Sequence, residues 1–137
     1  MRTLNDYFLT SAIPDVSTAS STFVVVPDAG RIVKIFAHNK ATTTGTAAIT
    51  FEIDGVACTS GAISHVATSS AGKQYEVEPT SLNDVNEGSA LECITNGGST
   101  NASKMEITFV IRREYKICGR SWLAIFLPQI PINLKRK

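Results

Sequence analysis

The stretch Ser103–Glu114, SKMEITFVIRRE, places Met105, Ile107, Phe109 and Ile111 on one side and Lys104, Glu106, Thr108 and Arg112 on the other. A period of two with β-branched and aromatic residues is the signature of a half-buried strand, and a helix would scatter these side chains around its axis. Thr46–Ile53 repeats the pattern with Ala47, Ile49, Phe51 and Ile53 inward. Asp54-Gly55 follows at once, the dipeptide that favours a tight hairpin, and predicts Val56–Thr59 as the return strand. Thr22–Val26, Arg31–Ala37, Gln74–Glu78 and Ala90–Thr95 read as further strands.

Turn residues separate these runs at regular intervals: Pro27-Asp28-Ala29-Gly30, Asn39–Gly45, Ser69–Gly72 and Asn96-Gly97-Gly98-Ser99. No window carries helical periodicity, and a short helical turn at Ser81–Asn86, after Pro79, is the most the sequence allows. Seven or eight short strands at this spacing predict an all-β fold, a β-sandwich or jelly-roll-like domain with extended terminal arms. The expected division is an N-terminal arm over residues 1–20, a sandwich over 21–114 and an apolar, basic C-terminal arm over 115–137. A chain of 137 residues is long enough to bury a core without staples. The small, polar connection Ala41–Thr46 reads either as a solvated linker or as a loop projecting from one end of the sandwich to bind a partner.

Residues 1–111 hold six basic groups against eleven acidic ones, a net of −5, whereas residues 112–137 hold seven against one, a net of +6. An acidic body with a basic tail predicts an acidic partner for the tail, either nucleic acid or the body of a neighbouring subunit. The tail also concentrates Trp122, Leu123, Ile125, Phe126, Leu127, Ile130, Ile132 and Leu134, with Pro128 and Pro131 opposing a continuous helix. Eight such side chains expose on the order of 1,000 Å² if left in water, the scale of one side of a standard interface. Three covers are open: a return strand in the same domain, an arm on a neighbouring subunit, or a membrane interface, which the prolines disfavour. The candidate partner-binding residues are Arg120, Trp122, Leu123, Ile125, Phe126, Leu127, Ile130, Ile132, Lys135, Arg136 and Lys137.

Chemistry is sparse. His38 and His65 have no Ser or Cys motif beside them to organise a base, and neither a nucleotide-binding glycine pattern nor a hydrolase elbow occurs. Asp84–Gly88 falls short of a calcium loop, because its glycine comes one position early and no Glu closes it. Glu76 and Glu78 share a strand face, which simple solvated alternation explains. Cys58, Cys93 and Cys118 lack metal-ligand spacing, and an odd count opposes a disulfide framework; reduced thiols are expected. Asn101-Ala102-Ser103 matches a glycosylation sequon, but residues 1–10 lack the apolar run of a secretory signal, so the match reads as chance. No enzyme activity, cofactor or metal is expected, nor a membrane-spanning segment, and synthesis in a cytoplasm follows.

Two segments, GRIVKIFAHNKATTTGTAAITFEIDG and SAGKQYEVEPTSLNDVNEGSALECITNGGSTNASKMEITFVIRR, resemble small structural proteins of tailed bacteriophages, among them head decoration, or cement, proteins. The resemblance rests on Gly30, the Thr/Ala/Gly stretch, Asp54-Gly55, Pro79–Asn83, Glu87-Gly88 and Asn96–Thr100, and it ends near Arg113. It implies a virion protein on the capsid exterior, made in the host cytoplasm. Such a protein is commonly a homotrimer and stabilises the shell by clamping neighbouring major capsid subunits, without direct contact to nucleic acid. The alternative is a glycan-binding or host-attachment β-sandwich module on a phage head or fibre.

Overall fold

The computed structural model describes residues 5–64 and 68–114. In chain order its strands are β1 (Asp6–Ile13), β2 (Ser20–Val25), β3 (Gly30–Asn39), β4 (Thr43–Thr44), β5 (Ala48–Ile53) and β6 (Val56–Ala57). There follow β7 (Ile63–Ser64), β8 (Thr68–Ser69), β9 (Gln74–Val77), β10 (Asp84–Val85), β11 (Ala90–Thr95) and β12 (Met105–Arg113). No helix occurs among the described residues. One antiparallel sheet runs β1-β12-β3, with β9 and β10 sharing the far side of β3. The second runs β2-β11-β5, with β6 and β7 sharing the far side of β5. The all-β sandwich expected from the alternation is what forms.

The alternating residues account for the core. Met105, Ile107, Phe109 and Ile111 from β12 meet Ile49, Phe51 and Ile53 from β5 and Leu91 and Cys93 from β11, all of them buried. Each large side chain removed from water contributes about 1.5–3 kcal/mol before entropy is counted. Strand β3 departs from strict alternation: Ile32 and Ile35, three apart, both face inward. The ladder shows how. Ile111 pairs with Ile32 and Val110 with Lys34, which leaves Val33 as an extra residue in a β-bulge.

The Asp54-Gly55 hairpin forms as expected, with φ of 50° and 81° at its two central residues. The Asp54 carboxylate accepts the Ala90 N–H at 2.8 Å, tying the turn to the first residue of β11. The return strand is shorter than expected, ending at Ala57, after which Cys58 donates its N–H to the Phe51 carbonyl at 3.0 Å.

Three local expectations differ. Asp6–Ile13, placed by its sequence in an N-terminal arm, is a full edge strand paired with β12 from Asp6↔Arg112 to Ile13↔Met105. Its pattern hides in the sequence because Ser11 lies on the inward side and Phe8 on the outward one. Ala41–Thr46 is exposed at Ala41, Thr42 and Thr46 but anchored at its middle. Thr43 is fully buried, β4 pairs with β8, and Thr100 donates its N–H to the Thr44 carbonyl at 2.6 Å. Gly45, at φ 85°, approaches Gly98 so closely that a Cβ would sit 2.6 Å from its carbonyl oxygen. Ser81–Asn86 forms no helical turn. Ser81 bridges to Thr59, and the buried Asn83 amide donates to the Ile32 carbonyl at 2.7 Å and the Pro79 carbonyl at 3.2 Å, which feeds β10 onto β3.

Candidate interaction surface

The core faces of the two sheets are consumed by each other, so any site lies on an outer face, an edge or a loop. The outer face of the β1-β12-β3 sheet neutralises itself. Lys34 reaches both Glu76 at 2.5 Å and Glu78 at 2.9 Å, and these two carboxylates raise its pKa, Glu76 most strongly. Glu106 accepts Lys40 at 2.9 Å, with Lys104 at 3.4 Å and His38 at 3.6 Å beside it. Bonding from Lys40, the largest cause, holds the Glu106 carboxyl below its ordinary value. Arg112 binds Asp6 through Nε at 3.0 Å, and Arg31 binds Asp84 at 2.9 Å. At the strand end Arg113 bonds Asp28 at 2.7 Å and lies over the Tyr7 ring, whose hydroxyl donates to the Asp28 carbonyl. Burial, followed by the nearby Asp28 charge, raises the Tyr7 pKa.

Open clefts cross this face, one of about 390 Å³ between Lys34, Phe36, Val110 and Arg112. The charged residues of that cleft, Asp6, Lys34, Glu78 and Arg112, are held in the ion pairs just described. Glu76 and Glu78 are therefore joined by a cation between them. His38 is held beside Glu106 on an exposed surface. His65 lies outside the described residues. Cys58 and Cys93 are free and buried, and burial pushes their thiols up to about 11 and about 12, so both stay protonated at neutral pH. Asp84–Gly88 is a strand running into a turn, with Ser89 donating its N–H to the Asn86 carbonyl at 3.0 Å. Among the described residues no three His, Cys, Asp or Glu side chains converge as metal ligands, and no helix is long and apolar enough to cross a membrane.

The outer face of the β2-β11-β5 sheet is chemically different. Phe23 and Val25 on the edge strand β2 are 63% and 64% exposed. Phe23 lies opposite Glu92, which lies opposite Glu52, while Val25 lies opposite Ala90 and Ser21 opposite Ile94. Two carboxylates directly across a strand pair repel one another. Among the described residues neither Glu52 nor Glu92 has a basic partner. The face is thus apolar at its edge and uncompensated acidic at its centre.

The sequence contains a signal for this patch. Thr22–Val26 reads TFVVV, apolar at both parities, so one side of the strand must show large apolar groups to solvent. Reading Phe23 simply as a strand residue misses this. The candidate partner-binding residues from Arg120 to Lys137 all lie outside the described residues. No protein-family model matches this chain, and no curated protein matches it.

Proposed function

We propose that this protein is a structural virion protein of a tailed bacteriophage that decorates the capsid exterior and stabilises it by clamping neighbouring major capsid subunits. The observation that carries the reading is the exposed apolar edge at Phe23 and Val25, next to Glu52 and Glu92, which have no basic partner among the described residues. Exposed apolar surface of this kind marks an interaction site, which an assembly would cover. The sequence resemblance supplies the identity of the assembly, and the residues that carry it are here the turns and close approaches of the fold. Gly30 lies against the Arg112 carbonyl, Asp54-Gly55 makes the hairpin, and the Asn96 side chain accepts the N–H groups of Ala48 and Gly98, each at 2.9 Å. A rigid scaffold making many weak contacts around a symmetric shell holds by multivalency, and a trimer suits that role.

Co-sedimentation tests the reading. Full-length protein is mixed with empty shells of the major capsid protein from the same genome, then the shells are heated. Saturable binding with a raised disruption temperature is expected. No binding to shells, together with selective retention on a glycan array, would replace this reading with the host-attachment alternative.

A further inference from the structure

We propose that the outer face of the β2-β11-β5 sheet, around Phe23, Val25, Glu52 and Glu92, is the docking surface for residues 115–137 of a second copy of this chain. The inference rests on the oligomeric part of the proposed function and adds where the copies meet.

Three observations fit the surface to that occupant. The first is charge. Residues 115–137 contain Lys116, Arg120, Lys135, Arg136 and Lys137 and no acidic residue. The basic groups of the first sheet's outer face are already paired within it. Among the described residues Glu52 and Glu92 face each other without a cation, and a lysine or arginine placed between them would turn repulsion into a bridge.

The second is apolar surface. Phe23 and Val25 stand exposed on the edge strand, an apolar surface that a second copy can cover. The segment from Trp122 to Leu134 carries the apolar side chains to provide that cover, and Pro128 and Pro131 keep it from continuing as a helix. The third is geometry. Strand β2 is paired with β11 and stands last in its sheet, so an extended segment can lie along it or across the face. Fully extended, residues 115–137 reach on the order of 75 Å, whereas a six-residue strand spans about 20 Å. An arm passed from each copy to the next is a head-to-tail contact, which closes into a ring when the rotation permits.

The test uses the full chain without capsid. Isotope-labelled and unlabelled protein are mixed in equal amounts and treated with a carbodiimide, which couples carboxylates directly to touching amines. Mixed-isotope peptides joining Glu52 or Glu92 to Lys116, Lys135 or Lys137 are expected. Glu52→Lys with Glu92→Lys should weaken self-association by about tenfold or more in sedimentation. Adding Lys135→Glu, Arg136→Glu and Lys137→Glu to that variant should restore it, which a misfolded protein would not do. Phe23→Ser with Val25→Thr should weaken association while leaving the circular dichroism unchanged. Same-isotope cross-links alone, a protein that is monomeric at tens of micromolar, or association indifferent to these substitutions would each overturn the inference. A monomer that still binds shells overturns it while leaving the capsid role standing. An oligomer built through this face that binds no shell overturns the capsid role instead.

Discussion

The edge of one ring meets the other between Phe51 of β5 and Phe109 of β12, with centroids 5.5 Å apart and planes at 85°. Both residues are buried, at 2% and 0% exposure, and they join the two sheets at the core. The edge-to-face arrangement adds to the area they remove from water. Phe109→Ala should lower stability by about 3–5 kcal/mol, and Phe109→Leu by clearly less, because it leaves a smaller cavity. Denaturant titration followed by circular dichroism measures both. Equal losses for the two variants would mean that the contact is not packed as described.

Two glycines should respond differently to alanine. At Gly30 a Cβ would press into the Arg112 backbone carbonyl, inside the β3–β12 ladder. At Gly55 φ is 81° but nothing lies within 4 Å of the added carbon. Gly55→Ala should therefore cost about 1 kcal/mol of conformational strain. Gly30→Ala should cost more, since backbone must move. Thermal melts of the two variants should rank them in that order.

Acid should weaken the fold through a few particular carboxylates. The Ser17 N–H, followed by its hydroxyl, holds Asp15 below its ordinary 3.8, and the Ala90 N–H does the same for Asp54. Their folded pKa values lie below the unfolded ones, so the stabilisation is present above the unfolded value and is lost as pH falls through the folded one. Asp54→Asn keeps an oxygen acceptor for Ala90 but removes the titrating charge. Its stability should depend less on pH below about 4 than that of the parent chain. An unchanged acid profile would show that the turn carboxylate is not among the groups responsible.

At the alkaline end the sign reverses. Burial raises the Cys93 thiol from 9.0 to about 12, so the folded state favours the protonated form. That contribution is complete below the unfolded value and is lost as pH rises from about 9 towards 12. Consistent with this, a thiol reagent at neutral pH should modify Cys58 and Cys93 slowly in the native protein. Once the chain is unfolded without reductant, all three cysteines should react. Rapid native labelling of Cys93, or fewer than three reactive thiols after unfolding, would contradict the buried, reduced state.

Local information in the chain was sufficient for the strands whose two faces differ. The alternation of β12 and β5, and Asp54-Gly55 between β5 and β6, state inward and outward directly, because side-chain direction in a strand reverses at every residue. Residues 6–13 carried no such statement. They become β1 only because β12 offers them an antiparallel edge, and that partner is about a hundred positions away in the chain. The bulge at Val33 and the burial of Thr43 have the same origin: Ile32, Ile35 and Thr43 are placed by packing against other strands rather than by their own neighbours. The candidate surface is of this second kind. Thr22–Val26 shows in sequence that some apolar groups must face solvent, but only the pairing Phe23↔Glu92↔Glu52 assembles them with two facing carboxylates on one face. Cross-strand neighbours are set by register, a property of two segments together, and it exists only once the sheets have formed.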